Sequence, residues 1–337
     1  MRFPEFSGEW ENTELQYIAP NICSGKDKPT SNGTVALYGS TGIIGMTRLA
    51  SYNEEIVLVA RVGANAGQLQ ITTIPCGVTD NTLIINAKEW NRYIYYYLQH
   101  YNLNRLVFGS GQPLITGSML KKLKIIYGEE SERNKIVNLL CLLDERIATQ
   151  NKIIYKLQSL IKGIAQNITC SNKPNVHISE CLECSSSTLQ ESDVCENGAY
   201  PVYGANGVVG YLNYYNTLSE AIYIIKDGSG VGTVSYVTGK CSPTGTLNIL
   251  QVKDGYSLRY LYYLLKVFNF EPYKTGMAIP HIYFKDYGKA KIFCPQYSEQ
   301  LKYATLLFTI DDKLSTEQEI LKSLNLEKQY LLRQMFI

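Results

Sequence analysis

The sequence predicts an α+β protein in which two pseudo-symmetric globular domains are separated by two long antiparallel coiled-coil helices. Three observations predict this fold class: an apolar seam with heptad spacing that occurs twice, a wider internal repeat that includes the seams, and short β-branched and aromatic runs inside each repeat. At 337 residues, 45% of them hydrophobic, the chain is long enough for two domains with their own cores.

Two stretches carry apolar residues whose spacing alternates between four and three, which is the pattern of a coiled-coil face. The first seam covers residues 136–168, and the second repeats it 167 positions later, over residues 303–335. Gln150 and Glu317 interrupt the two seams at the same place. We therefore predict two long helices, with Leu140, Leu143, Ile147, Ile154 and Leu157 in the first seam and Leu307, Ile310, Leu314, Leu321 and Leu324 in the second.

The seams are the ends of a larger repeat. Residues 38–45 (YGSTGIIG) match residues 203–210 (YGANGVVG) at an offset of 165, and residues 56–67 match residues 221–232 at the same offset. Two gapless matches at one offset indicate a tandem duplication of a domain followed by its helix.

Each copy is predicted to contain a small α+β domain of about 125 residues. Strands are predicted at residues 35–38, 56–60, 223–225 and 246–252, and shorter helices at 90–101 and 258–268. The predicted boundaries give a first domain at 1–128, a first helix at 129–169, a second domain at 170–296 and a second helix at 297–337. If the ends of the second domain lie close together, the second helix returns along the first, antiparallel to it. The first seam, residues 136–168, spans about 50 Å at about 1.5 Å per residue.

The second copy contains a distinctive stretch, residues 276–287 (GMAIPHIYFKDY), shortly before the last helix. With the duplicated Tyr-Gly-x-x-Gly-x-x-Gly stretch and the heptad helices, it resembles the DNA specificity subunit of type I restriction-modification systems. The resemblance covers the whole chain and implies that each domain is a target recognition domain for one half of a split site in double-stranded DNA. It also implies that the helices bind two methyltransferase subunits, with restriction subunits in the full complex. The first copy departs from this pattern, because residues 109–114 read GSGQPL.

Candidate DNA contacts lie on the loops. Gly-rich segments follow Arg61 and Lys226, and their amide groups beside a basic side chain can bind a phosphate. The alternative, that the glycines only permit a tight turn, stays open. Base-edge contacts are expected from polar and basic side chains. The candidates are Ser40, Thr41, Arg48, Asn206, Lys240, Lys274 and Thr275.

Most of the 27 tyrosines are expected to pack in cores, including Tyr93, Tyr96 and Tyr97 at helical spacing. The cluster of Tyr211, Tyr214 and Tyr215 could offer hydroxyl groups and rings to a DNA groove. Nine irregularly spaced cysteines favour reduced thiols over a disulfide framework. Cys181 and Cys184 form a C-x-x-C pair, but the first copy has no thiol at the matching positions, so no metal is expected.

Enzymatic activity has no support in the sequence. The three histidines accompany no nucleophile motif, and no Pro-Pro pair is present to form the methyltransferase tetrapeptide. We therefore expect no catalytic residues, no cofactor, no membrane span and a cytoplasmic location, while the net charge of +2 identifies no partner by itself. Two alternatives stay open: the specificity chain of a type IIB-like system, and a coiled-coil scaffold that binds protein partners.

Overall fold

The computed structural model describes residues 2–109 and 112–336. The chain divides into two compact units. Unit 1 consists of Met1–Gln150 with Ile320–Ile337, and unit 2 consists of Asn151–Glu319. Each long helix is therefore shared between the units, and each unit is described by itself below.

Unit 1 combines short strands with short helices and one half of the first long helix. Its strands are β1 (Glu11–Glu14), β2 (Cys23–Ser24), β3 (Val35–Gly39), β4 (Gly42–Thr47), β5 (Val57–Ala60), β6 (Leu69–Ile71), β7 (Cys76–Val78), β8 (Thr82–Ile85) and β9 (Lys124–Tyr127). Its helices are α1 (Leu15–Ile18), α2 (Asn91–Tyr101), α3 (Gly117–Lys121) and the beginning of α4 (Glu130–Cys170), with 3-10 turns at Lys88–Trp90 and Leu103–Leu106.

These strands form three sheets. A four-stranded antiparallel sheet has the order β2-β8-β5-β6. A three-stranded sheet has the order β4-β3-β7, in which β3 is antiparallel to β4 and parallel to β7. A two-stranded sheet pairs β1 with β9, the strand that leads into α4.

Helix α2 supplies much of the core of unit 1. Tyr93, Tyr96 and Tyr97 are buried in it, which confirms that these tyrosines pack rather than form an exposed stacking surface. The Tyr93 and Tyr97 hydroxyl groups donate to the carbonyl oxygens of Ile126 and Lys124, at 2.8 and 3.1 Å. Each ring is thus buried while its polar end is hydrogen-bonded, as a buried tyrosine requires.

Unit 2 repeats this architecture. Its strands are β10 (Val176–His177), β11 (Leu182–Ser186), β12 (Tyr200–Gly204), β13 (Gly207–Leu212), β14 (Ala221–Ile225), β15 (Val234–Val237), β16 (Ser242–Pro243), β17 (Leu247–Val252) and β18 (Lys291–Ile292). Its helices are α5 (Ile178–Cys181), α6 (Leu258–Val267), α7 (Phe284–Tyr287) and most of α8 (Tyr297–Met335), with 3-10 turns at Glu191–Asp193 and Glu271–Tyr273. The sheets have the orders β11-β17-β14-β15, β13-β12-β16 and β10-β18, which match unit 1 strand for strand and confirm the predicted duplication.

The long helices run antiparallel within each unit. In unit 1, Leu332 and Met335 near the end of α8 share a core with Ile136 and Leu140 near the beginning of α4. In unit 2, residues near the end of α4 and the beginning of α8 line one cavity. The fold class predicted from the seams is therefore confirmed. The seam residues Leu140, Leu143, Ile154, Leu307, Leu314 and Leu324 are buried, and Ile147, Leu157, Ile310 and Leu321 are partly buried.

Helices of this length are also found in membrane proteins. Among the described residues, however, no helix is apolar enough over a sufficient length to cross a membrane.

Candidate nucleic-acid interface

In unit 2 the Gly-rich turn that follows β14 (residues 226–232) is joined by backbone hydrogen bonds to residues 276–281, the GMAIPH loop. The Ile282 amide donates to the Lys226 carbonyl at 2.9 Å, and the Gly228 amide donates to the Pro280 carbonyl at 3.0 Å. Two segments that are about fifty residues apart in sequence thus form one surface. Lys226 lies at its edge, directly after the strand.

The GMAIPH loop is short and is closed by backbone hydrogen bonds at its base. The Thr275 and His281 backbones exchange two hydrogen bonds, of 2.9 and 2.7 Å, that close its base. Gly276 has a φ of +88°, which favours glycine at this position, and the Met277 side chain at the tip is fully exposed. The sequence candidate Thr275 is exposed at the base of this loop.

Carboxylates partly neutralise the basic candidates on this surface. Asp227 Oδ1 lies 2.6 Å from His281 Nδ1, and Asp227 Oδ2 lies 3.6 Å from Lys226 Nζ. Lys274 Nζ lies 2.6 Å from Glu271 Oε1. Lys226 and Lys274 therefore offer less net positive charge to a phosphate than the sequence alone suggested. Sequence reasoning missed Asp227 as a member of this cluster.

The matching surface of unit 1 has the same backbone pattern with different side chains. The Ile115 amide donates to the Arg61 carbonyl and the Gly63 amide to the Pro113 carbonyl, both at 2.9 Å. The bridge between Val62 and Leu114 occupies the place that Asp227 and His281 have in unit 2. Among the described residues no carboxylate lies within salt-bridge distance of Arg61. Ser110 and Gly111, which belong to the departing GSGQPL stretch, lie outside the described residues.

The glycines of both turns serve the backbone conformation. Gly63, Gly67, Gly228 and Gly232 all have φ between +79° and +94°. Four amides in each turn already donate to carbonyl oxygens of their own domain, so they are not free to bind an anion. These amides belong to Gly63, Ala66, Gly67 and Gln68 in unit 1 and to Gly228, Val231, Gly232 and Thr233 in unit 2. The turn interpretation is therefore favoured over an anion-binding concavity, and any phosphate contact falls to the basic side chains.

A second pair of matching features is formed by the β3–β4 and β12–β13 hairpins. Ser40 and Thr41 lie at the turn of the first hairpin and Asn206 at the turn of the second; Thr41 and Asn206 are exposed, and Ser40 is half-buried. Gly42 and Gly207 close the turns with φ of +112° and +104°. These polar side chains therefore lie in the tight turns at the ends of the two hairpins, where solvent can reach them.

Two further candidates lie near the hairpins. Arg48 directly follows β4, and its side chain is exposed. The Lys240 Nζ lies 4.8 Å from the ring centroid of Tyr215 and 5.7 Å from that of Tyr200, which is a cation–π arrangement. The two rings meet edge to face with centroids 5.0 Å apart. The role of Tyr200 was not predicted, because nothing in the sequence links it to a lysine forty residues away.

The cysteines form no metal-binding arrangement in the described part of the chain. All nine are free thiols, and no three or more His, Cys, Asp or Glu side chains there are grouped so that they could hold a metal ion. Cys181 Sγ lies 3.9 Å from Cys294 Sγ in a buried contact. Burial raises the pKa of the Cys184 thiol to about 11, so this side chain is a protonated thiol at neutral pH.

Known proteins resemble this chain over the whole or part of its length. The model of the type I restriction modification DNA specificity domain matches residues 2–159 and 175–326. A putative type I specificity subunit of Mycoplasma genitalium is 25% identical over 305 residues, which cover 82% of this chain and 79% of that protein. The type I restriction enzyme EcoprrI specificity subunit of Escherichia coli is 24% identical over 125 residues, which cover 37% of this chain and 31% of that protein.

Solved structures show the same fold. The crystal structure of the type I restriction-modification S subunit from M. genitalium gives a TM-score of 0.75 at 19% identity and covers 98% of this chain and 96% of that chain. A structure from work on assembly and conformational transition of the type I system gives a TM-score of 0.54 at 14% identity, with 98% of both chains covered. Because the family model matches two long segments that together include most of both units, the chain belongs to the family of type I restriction-modification DNA specificity proteins.

Proposed function

We propose that the chain reads a bipartite, asymmetric site in double-stranded DNA as the specificity subunit of a type I restriction-modification complex, with one half-site for each globular domain. The duplicated topology carries this proposal, because each copy has its own hairpin and its own Gly-rich turn. The side chains after the matching strands differ, Arg61-Val62 in one copy and Lys226-Asp227 in the other. Two similar scaffolds with different exposed groups are suited to two different half-sites.

The proposal divides the chain as the repeat does. Residues 1–128 and 170–296 are the two target recognition domains, and residues 129–169 and 297–337 are the helices that space them. Since the duplication supplies two equivalent domain-and-helix surfaces, the helices bind two methyltransferase subunits, which restriction subunits join in the full complex. Catalysis belongs to those partners, so this chain needs no cofactor of its own. The complex acts in the cytoplasm.

An exchange of one domain tests this function. Residues 170–296 are replaced by the matching segment of another family member, and the chimera is produced with its methyltransferase subunits in a host that lacks other methylation. We expect methylation mapping to show a motif in which one half has changed and the other has not. The unaltered chain and the reciprocal exchange of residues 1–128 are the controls. A chimera that changes both halves, or neither, would contradict the division into two readers.

A further inference from the structure

We infer, on the basis of the proposed function, that the β3–β4 and β12–β13 hairpins enter a groove of the DNA and that their exposed apolar side chains determine part of the sequence read. This assignment concerns residues that do not appear among the polar and basic candidates. Three observations support it: apolar side chains are exposed at equivalent positions of both hairpins, both hairpins carry the same β-bulge, and basic side chains lie near them.

Apolar side chains are exposed at equivalent positions of both copies. Solvent exposure of apolar groups is unfavourable, and a cluster of them on a projecting element marks a binding surface more often than a single exposed residue does. Three pairs are related by the offset of 165. They are Ile43 and Val208, at 56% and 50% exposure, Met46 and Tyr211, at 47% and 39%, and Leu49 and Tyr214, at 80% and 54%.

Both hairpins also carry the same β-bulge. The register shifts between Leu37 and Tyr38 in the first hairpin and between Val202 and Tyr203 in the second, so β4 and β13 each contain one extra residue. A bulge increases strand twist and redirects side chains, and it is typical of functional edges. In unit 1 the Gln70 amide also donates to the Gly39 and Ser40 carbonyl oxygens, at 3.0 and 3.2 Å, which fixes the turn against β6. The first ribbon is therefore held in place rather than loosely attached.

The surroundings of the first hairpin favour DNA over a protein partner. The Thr30 amide donates to the Met46 carbonyl at 2.9 Å, so the segment that precedes Thr30 lies beside β4. That segment exposes Lys26 and Lys28, and Arg48 is exposed at the end of the strand. A two-stranded ribbon fits the major groove, where an apolar side chain can contact the methyl group of thymine. The cations are then placed to contact the adjoining phosphates.

The second hairpin offers a different chemistry at the same positions. Tyr211 and Tyr214 stand where the first copy has Met46 and Leu49. The nearby cation is Lys240, which lies over the rings of Tyr200 and Tyr215. Glu191 lies against Gly204 at the end of β12, so one carboxylate accompanies this cation of the second hairpin. Beside the first hairpin one carboxylate, Asp27, accompanies three exposed cations, so the first hairpin is the more attractive to phosphates. We therefore expect the first hairpin to contribute more to salt-dependent affinity.

The test uses the chain in complex with its methyltransferase subunits. Ile43→Ser and Val208→Ser are compared with Tyr17→Ser, which removes a 75% exposed side chain from α1 of unit 1. Binding is measured on the mapped site and on every single-base variant of each half. We expect Ile43→Ser to lower discrimination at one or two base pairs of one half-site by roughly tenfold, and Val208→Ser to do the same in the other half only. Tyr17→Ser should leave both halves unchanged, and Leu49→Ser gives an independent variant of the first hairpin.

The possible failures are distinguishable. If the domain exchange changes one half-site but the hairpin variants keep full discrimination and affinity, the inference is wrong while the proposed function stands. If the variants instead reduce recovery of the methyltransferase subunits without DNA, the hairpins bind protein and the inference is also wrong. If the domain exchange changes neither half, the proposed function fails first.

Discussion

Lys328 is a basic residue within the second seam, residues 303–335. Its ion pair with Asp144 tests whether polar contacts help to hold the two long helices together in unit 1. The Lys328 Nζ lies 2.6 Å from Asp144 Oδ1 and 5.6 Å from the ring centroid of Tyr96. The Tyr96 hydroxyl donates to Asp144 Oδ2 at 2.9 Å. The equivalent residue of the first seam, 167 positions earlier, is Ile161. We predict that Lys328→Ile, which copies the first seam, destabilises unit 1.

The magnitude follows from the burial of the pair. The Lys328 side chain is 17% exposed and the Asp144 side chain 31%. At this separation the gross attraction is about 6 kcal/mol for an effective dielectric constant of about 20, and desolvation of both groups offsets most of it. Exposed pairs contribute about 0–1 kcal/mol, whereas breaking a buried pair costs about 3–5 kcal/mol. For this partly screened pair we expect a loss of about 2 kcal/mol in the free energy of unfolding.

Urea unfolding, followed by circular dichroism, measures the change. Lys328→Met is the matched variant, because it keeps an unbranched side chain of similar length and removes only the charge. The reverse substitution, Ile161→Lys, offers a partner to Asp311 of unit 2, which accepts the Tyr263 hydroxyl at 3.1 Å beside a cavity of about 420 Å³. We expect it to be tolerated. A Lys328→Ile chain as stable as the unaltered one would show that apolar packing outweighs the ion pair, and the reasoning would be refuted.

The remaining predictions concern the seam, the DNA surface and the C-terminal packing. Leu143→Asp should lower the free energy of unfolding by several kcal/mol, whereas Leu142→Asp on the exposed side of the same helix should be nearly neutral in the same urea titration. Arg61→Ala should weaken binding of the complex to cognate and unrelated duplexes and reduce the salt slope by roughly one unit, and Lys226→Ala should do so less, because Asp227 already neutralises part of its charge; a salt slope unchanged in both variants would contradict this. Phe336→Ala should cost about 3 kcal/mol in thermal unfolding, since the ring is buried against two tyrosine rings of α2.

The features predicted best from sequence are those with a local period. The heptad pattern predicted both long helices and their seams, because burial of one helical face repeats every three to four residues. The shorter helices predicted at 90–101 and 258–268 agree within one residue with α2 and α6. The repeat offset predicted that both domains share a topology, although it could not give the strand order. That order depends on pairings between strands far apart in the chain.

The features that sequence missed are long-range side-chain pairs. Asp227 and His281 are 54 residues apart, and neither has a neighbour in sequence that signals the contact. The bulges in β4 and β13 were equally invisible, since a bulge is defined by the partner strand. The Gly-rich turns suggested an anion site by pattern alone. Three amides of each turn donate to carbonyl oxygens of the turn itself or of the strand before it, and a fourth donates to a loop about fifty residues later. The glycine pattern alone does not show that these amides are already hydrogen-bonded.

The contacts that hold each domain to its helices are the same in both copies, whereas the side chains at the turns differ. Contacts that fix each domain on its long helix or hold its core helix are present in both units at matching positions. They are Arg92 with Glu55 and Arg259 with Glu220, at 2.7 and 2.9 Å, and Tyr96 with Asp144 and Tyr263 with Asp311, at 2.9 and 3.1 Å. At the turns the copies instead exchange an apolar pair, Val62 with Leu114, for a polar one, Asp227 with His281. Because the contacts at the turns contribute little to the free energy of unfolding, they can change without weakening the contacts between each domain and its helices. On the inference made above, a change of specificity would involve the turns and hairpins, while the helices and the contacts that anchor them stay as they are.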